Sequence, residues 1–414
     1  MSEKKDTFCP LPWNHLATHP NGMVSLCCKA DTVGLTGFSQ TQYPNFIATW
    51  KLSRVPIPVI VNGESFCQTR LDMLSGKEPA ACKGCFDVER NGGQSKRMLE
   101  RSEWPALTVE TAQERTNSSG MIEANLQFLE LRLGNRCNLK CATCNPISSD
   151  QWSSDYDSLA EQLPWIDQKM TSTVLSRKFY TGPDSAKHWS TNPEFWKELY
   201  IPSSRCKKIY INGGEPMLNV DHIEFLKRFV VDGTSKDIDL IYSTNVTSIP
   251  KDVMHDVWSH FKRVDINASV DHVGDKNTLI RYPAKWDKIE RTLLELKDIP
   301  AIALTVIQTI SAYNFLELEE FHKWTKDLGV RWWVNHVDSP DYLSVFTIPV
   351  SVRRDALGGY QELLPPRIWE ELVGRYQSDT YLGHDKFVQF NNKLDSLRGT
   401  NWRQTLPLLS GVFK

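Results

Sequence analysis

From about residue 125 onward, hydrophobic and polar positions follow two alternating patterns. Short apolar runs, of which Phe128-Leu-Glu-Leu-Arg-Leu133 is the clearest, recur at 128–134, 207–212, 237–243, 262–270, 301–309 and 330–337. Side chains on a strand point to opposite faces in turn, so these runs predict strands. The segments between them carry one apolar stripe at helical spacing, clearest at 219–231, 250–261, 285–298 and 314–328. Six strands separated by helices predict parallel βα units and an α/β fold. The pattern alone leaves two architectures open, an α/β barrel and an open doubly wound sheet. Residues 145–206 form an oversized connection containing Trp152, Trp165, Trp189 and Trp196, with room for the first helix and an insertion.

The flanks read differently. Residues 1–101 are rich in Pro, Gly and Cys and hold six of the ten cysteines. A polar stretch over 102–124, including Thr111-Ala-Gln-Glu-Arg-Thr-Asn-Ser-Ser-Gly120, predicts a linker to a main domain over 125–338. The extension 339–414 carries mixed helical signals and no placeable pattern.

Composition narrows the class. A chain of 414 residues with 40% hydrophobic and 24% charged residues is that of an ordinary globular protein. A net charge of −2 supplies no long-range field for nucleic acid, and pairs such as Lys96-Arg97 and Lys207-Lys208 read as solvated faces. The N-terminus, Met1-Ser-Glu-Lys-Lys-Asp, runs into Phe8-Cys9-Pro10 without an apolar signal core, and no run approaches the ~18 apolar residues of a spanning helix. The expectation is a cytoplasmic protein, not membrane-bound, whose cysteines bind metal.

Cys137-Asn-Leu-Lys-Cys141-Ala-Thr-Cys144 is the most informative segment. A structural zinc site calls for four ligands grouped in pairs. Three closely spaced thiolates suit three corners of an iron–sulfur cubane, leaving one iron for a ligand from outside the protein. Gly134-Asn135 ends the preceding strand, so the cysteines leave its C-terminal end, where parallel α/β barrels build their sites. This segment resembles the cluster loop of radical S-adenosylmethionine (SAM) enzymes. The resemblance implies a partial (β/α)6 barrel and a [4Fe–4S] cluster whose open iron is chelated by SAM. Thr143 stands where that family usually carries an aromatic residue.

Further motifs fall in the order the resemblance requires. Gly213-Gly214-Glu215-Pro216 ends the second strand; taken alone, two glycines are a turn or a place of close backbone approach. The segment is similar to the family's GGEP motif, which implies that Gly213, Gly214 and Glu215 line the site of the SAM amino group. Ser243-Thr244-Asn245 alone is a helix cap before Pro250; the resemblance implies Ser243 and Asn245 near the ribose. Val264-Asp-Ile-Asn-Ala-Ser269-Val-Asp271 is similar to the family strand ending in Ser-Leu-Asp, with Arg281 twelve residues beyond Ser269. The guanidinium fork matches a carboxylate, and the resemblance implies that Ser269 and Arg281 hold the SAM carboxylate. Gln308 and Asn314 also fit.

A second constellation precedes the barrel. Cys9 is followed by Trp13, His15, Asn21-Gly22 and Cys27-Cys28, and later by Cys82-Lys-Gly-Cys85. Asn-Gly between short apolar runs is a hairpin turn, which puts Cys9 and Cys27 on paired strands. The arrangement resembles the SPASM and twitch modules of radical SAM enzymes, with Trp50 and Arg70 as landmarks. It implies an auxiliary [4Fe–4S] cluster on Cys9, Cys27, Cys82 and Cys85, with Cys28 an alternative to Cys27 and Cys67 a spare. A zinc ion on the same four thiolates is the other reading. The implied activity is reductive SAM cleavage to a 5′-deoxyadenosyl radical that abstracts hydrogen from a small-molecule, peptide or protein substrate. A flavodoxin or ferredoxin-type reductant is the implied partner; a non-catalytic metal-binding scaffold is the contrasting expectation. Asp271, His272, Asn335, His336 and Asp338 are polar candidates near the strand ends.

Overall fold

The computed structural model describes residues 6–20, 22, 24–30, 56–166 and 186–413. Asn21 and Trp50 lie outside the described residues. One eight-stranded sheet, in the order β2-β1-β3-β4-β5-β6-β7-β8, organises the chain. Its strands are β1 His15–Thr18, β2 Val24–Ser25, β3 Phe128–Arg132, β4 Lys208–Asn212, β5 Asp239–Thr244, β6 Arg263–Ser269, β7 Ile302–Ile310 and β8 Arg331–His336. Strands β3 to β8 are the six that the alternation predicts, and all pair in parallel.

Their order decides between the two architectures. A doubly wound sheet reverses its strand order at a switch point, whereas here each strand pairs with the next in sequence. Right-handed crossovers in a single direction lay the connecting helices on one face. The result is the strand order of an open (β/α)6 barrel. Burial agrees: Ile209, Ile211, Leu240, Tyr242, Val264, Ile266, Leu304 and Val306 share a core with Phe225, Phe229, Ile289 and Leu293 of the helices Asp221–Val231 and Trp286–Lys297. The alternate residues Tyr210, Asn212, Ser243, Asn267, Ser269 and Thr305 are half-buried on the opposite, polar face.

The helix predicted over 250–261 is irregular, a wide turn over Val253–Val257 followed by a 3₁₀ turn over Trp258–His260. Within the stretch read as a linker, Val109–Glu114 is helical and capped by Thr108, and Ala112 is buried.

The N-terminal segment is built into the sheet. Strand β1 pairs in parallel with β3, and β2 pairs antiparallel with β1. Phe8, Cys9, Leu11, Trp13, Met73, Ala112 and Ile122 form a small core with Phe128 of β3. Arg70 clamps this core: fully buried, it donates to the carbonyls of Pro12 at 2.8 Å, Gly120 at 3.0 Å and Val61 at 2.6 Å. The hairpin exists as β1–β2, but neither cysteine is on a strand: Cys9 precedes the short helix Leu11–Asn14, where the Pro10 turn ends extended backbone, and Cys27 lies in the bend after β2.

The extension resolves into helices Val350–Tyr360, Pro366–Tyr376 and Asp385–Arg398, closed by Trp402–Thr405 and Pro407–Val412. Phe387, Phe390, Leu394 and Trp402 share a second core with Ala142, Trp152, Tyr156 and Ile280. The tail therefore packs against the cysteine loop. Among the described residues, no helix is long and apolar enough to cross a membrane.

Candidate metal and cofactor site

Cys137, Cys141 and Cys144 lie on the loop leaving β3, at the C-terminal mouth of the parallel strands. Backbone bonds hold the loop in place. Lys140 N donates to Tyr282 O at 2.7 Å and Ala142 N to Ile280 O at 2.6 Å. Cys137 N donates to Asp150 Oδ1 at 3.2 Å, and Trp152 Nε1 donates to Cys141 O at 3.0 Å. Burial pushes the Cys137 and Cys144 thiols up to about 12 and raises Cys141 also. Cys141 raises both the Cys137 and the Cys144 thiol as a close neighbour. Buried thiols of this kind become thiolates on binding metal.

The glycines have a packing role of their own. A Cβ on Gly214 would stand 2.1 Å from Arg136 O, and one on Gly213 2.8 Å from Leu133 N. Both hold left-handed φ, 53° and 94°. Gly213 meets the backbone at the end of β3 and Gly214 that of Arg136 beside the cysteines, and Glu215 N seals the contact by donating to Arg136 O at 2.8 Å. The Glu215 side chain is likewise committed. Oε1 accepts from Thr244 Oγ1 at 2.7 Å and Met217 N at 3.2 Å, and Oε2 accepts from Asn245 N at 2.7 Å. Burial raises this carboxyl to about 7, against the pull of those donors.

Asn245 donates through Nδ2 to Asn138 Oδ1 at 2.8 Å, with Cys137 Sγ 4.0 Å away. Val246 follows at φ 50°, a strained conformation for a β-branched residue, which fixes this turn beside the loop. Ser243 Oγ shares a hydrogen bond of 2.8 Å with Tyr210 OH on the polar face. Ser269 ends β6 on the same face, level with Ile307 of β7. Arg281 does not stand alone: its Nε lies 2.9 Å from Asp271 Oδ2, and its charge is felt at Cys141 and Cys144. Asp271, a polar candidate, is thus the partner of Arg281, held by Thr309 N at 2.9 Å.

The N-terminal cysteines also converge. Burial raises the Cys9 thiol, Leu11 N lowers it, and Cys27, Cys82 and Cys85 raise it further as close neighbours. Cys28 faces elsewhere, against Glu130 and Lys96. Cys67 donates to Asn62 O at 3.3 Å and lies apart. Among the described residues, the set of three metal-binding side chains within 4.8 Å of one another is His272, Glu317 and Glu320. Lys276 already bridges the two carboxylates there at 2.5 Å each. His272 Nδ1 accepts from Val273 N, so its Nε2 carries the proton and offers no lone pair to a cation. His336 and Asp338 are taken up by Glu371 and Arg375 in the extension.

The sequence reading notes Trp152 only as part of the long connection and gives no role to Asp155 or Arg398. Lys140 Nζ and Arg398 Nε flank the buried Asp155 carboxylate at 2.7 and 2.9 Å, tying the cysteine loop to the tail.

No family model and no curated protein matches the chain. Among solved structures it is similar to anSMEcpe with bound AdoMet and a Cp18Cys peptide, at 15% identity and TM-score 0.36, over 57% of this chain and 59% of that one. It is similar to Streptococcus suis SuiB bound to the precursor peptide SuiA, at 13% identity and TM-score 0.35, over 75% and 63%. TYW1 with a lysine-pyruvate adduct bound matches at 16% identity and TM-score 0.31, over 56% and 72%. The chain spans less than two thirds of the length of the first two. Likenesses this slight bear on neither the chemistry nor the details of the fold, which rest on the chain's own geometry.

Proposed function

We propose that the chain is a radical SAM enzyme. The observation that carries this reading is the three-thiol loop at the mouth of six sequential parallel strands, packed on Gly213 and Gly214. The donor set fits an iron–sulfur cube better than a single ion. Three thiols on one loop suit three corners of a cubane, whereas a closed zinc site takes four protein ligands.

On this reading Cys137, Cys141 and Cys144 hold a [4Fe–4S] cluster with SAM, and Cys9, Cys27, Cys82 and Cys85 hold an auxiliary [4Fe–4S] cluster. When bound, the first would supply one-electron chemistry, in which an electron from the reductant breaks the C5′–S bond of SAM to give methionine and a 5′-deoxyadenosyl radical able to take hydrogen from the substrate. The protein's part is orientation and exclusion of water. Arg281, with Ser269 nearby on β6, supplies positive charge for the SAM carboxylate, and Asp271 fixes its guanidinium. Asn245 and Asn138 brace the loop at Cys137. Tyr210, Ser243 and Asn267 give the polar face hydrogen-bonding groups for ribose and substrate. The substrate is a small molecule, peptide or protein, the electron donor a flavodoxin or ferredoxin, and the setting cytoplasmic.

Iron and sulfide per chain after anaerobic reconstitution test the assignment. About eight irons, falling to about four when Cys137, Cys141 and Cys144 are all changed to Ala, is the expected result. About four falling to nearly none, with zinc present, removes the auxiliary cluster and leaves the N-terminal site structural.

A further inference from the structure

Arg398 ends the helix Asp385–Arg398, far from the cysteine loop in sequence, yet its side chain is nearly fully buried beside that loop. Its guanidinium lies over the Trp152 ring at 4.5 Å and the Tyr282 ring at 5.2 Å. Both rings belong to the loop's own support: Trp152 Nε1 holds Cys141 O, and Tyr282 O holds Lys140 N. Tyr282 OH returns to Arg398 O at 3.3 Å. Arg398 Nε lies 2.9 Å from Asp155 Oδ2, whose other oxygen takes Lys140 Nζ at 2.7 Å.

Two features of this arrangement exceed a structural role. The triad of Lys140, Asp155 and Arg398 contains two cations and one anion, and Arg398 is the nearly fully buried cation of the two. In addition, Arg398 Nη2 is buried without a hydrogen-bond partner, an expensive state for a charged donor unless a further anionic group belongs nearby. The charge is close enough to be felt at Cys141.

We infer that Arg398 is a positioning residue of the C-terminal extension that holds the cysteine loop and sets the positive charge met by the group bound there. The inference rests on the reading of Cys137, Cys141 and Cys144 as cluster ligands. A cluster gains one negative charge on reduction, so a fixed cation beside it favours the reduced form and a fixed anion disfavours it. Arg398 and Asp155 therefore act with opposite signs on the same equilibrium.

The test is a redox titration of the SAM-responsive cluster, followed by electron paramagnetic resonance, in the reconstituted full-length protein. Arg398→Gln is expected to hold about tenfold less reduced cluster at a fixed potential, equal to a midpoint 59 mV more negative for one electron. Arg398→Lys restores most of the difference. Asp155→Asn moves the midpoint the other way. Equal midpoints in wild type and Arg398→Gln, or shifts of the same sign in Arg398→Gln and Asp155→Asn, overturn the inference. If Arg398→Gln fails to fold, Asp155→Asn decides alone, and an unmoved or more negative midpoint overturns it. A wild-type protein with no iron on Cys137, Cys141 and Cys144 is a separate result, which overturns the cluster reading itself.

Discussion

Glu215 and Asn245 join the ends of β4 and β5: the carboxylate Oε2 accepts the backbone N–H of Asn245 at 2.7 Å while Oε1 takes Thr244 Oγ1 and Met217 N. Asn245 then reaches across to Asn138 in the cysteine loop. One acidic side chain fixes two adjacent strand ends and, through Asn245, the loop leaving a third, which explains a carboxylate only 3% exposed.

Glu215→Gln keeps the size and replaces one acceptor by a donor. The amide N–H₂ would face either Asn245 N–H or the Thr244 and Met217 donors. Loss of satisfaction at a buried site costs about 1–3 kcal/mol. Urea unfolding of the metal-free protein should show a lower midpoint with an unchanged slope.

Gly214→Ala places a methyl group 2.1 Å from Arg136 O at a φ of 53°. Neither backbone can yield without moving Cys137. The variant is expected to fold, because the strands do not depend on this contact, and to bind less iron after reconstitution. Circular dichroism and iron assay together check it.

Cys27→Ser and Cys28→Ser should differ. Cys9 has Cys27, Cys82 and Cys85 as its thiol neighbours, whereas Cys28 meets Glu130 and Lys96. Cys27→Ser is expected to lose the N-terminal metal and Cys28→Ser to keep it, as read by metal content in the background lacking Cys137, Cys141 and Cys144.

His222 is fully buried, with Nδ1 on Asn219 O and Nε2 on Tyr242 OH at 2.9 Å. Burial lowers it from the usual 6.5 to about 4. The unfolded chain therefore takes up a proton below pH 6.5 while the folded one stays neutral, so this residue weakens folding as pH falls from 6.5 to 4. The full loss is about 3 kcal/mol. His222→Gln should flatten that part of the stability profile between pH 4.5 and 7.5, measured by urea unfolding.

The middle strands β4 to β7 are legible because they alternate cleanly, and Ile302–Ile310 shows why: every second residue is buried without exception. Their order is not, since the same period suits a barrel or a doubly wound sheet. The cysteine loop declared itself through spacing. The glycine motif signals a close approach without showing whose; at Gly214 the backbone of Arg136 makes one. Nor does sequence show that Arg281 would find Asp271, or that Arg398 would return to Asp155 across 243 positions. The polar stretch near 111–120 read as a linker, yet Gly120 O receives Arg70 and Thr116 Oγ1 receives Trp13 Nε1, contacts set by distant partners.

The most direct measurement is 5′-deoxyadenosine formed from SAM by the anaerobically reconstituted protein with a strong one-electron reductant. The account predicts 5′-deoxyadenosine and methionine in equal amounts from the native chain, and none from the variant with Cys137, Cys141 and Cys144 changed to Ala. A native protein that holds iron on those cysteines yet forms no 5′-deoxyadenosine with any reductant would contradict it and leave a metal-binding scaffold.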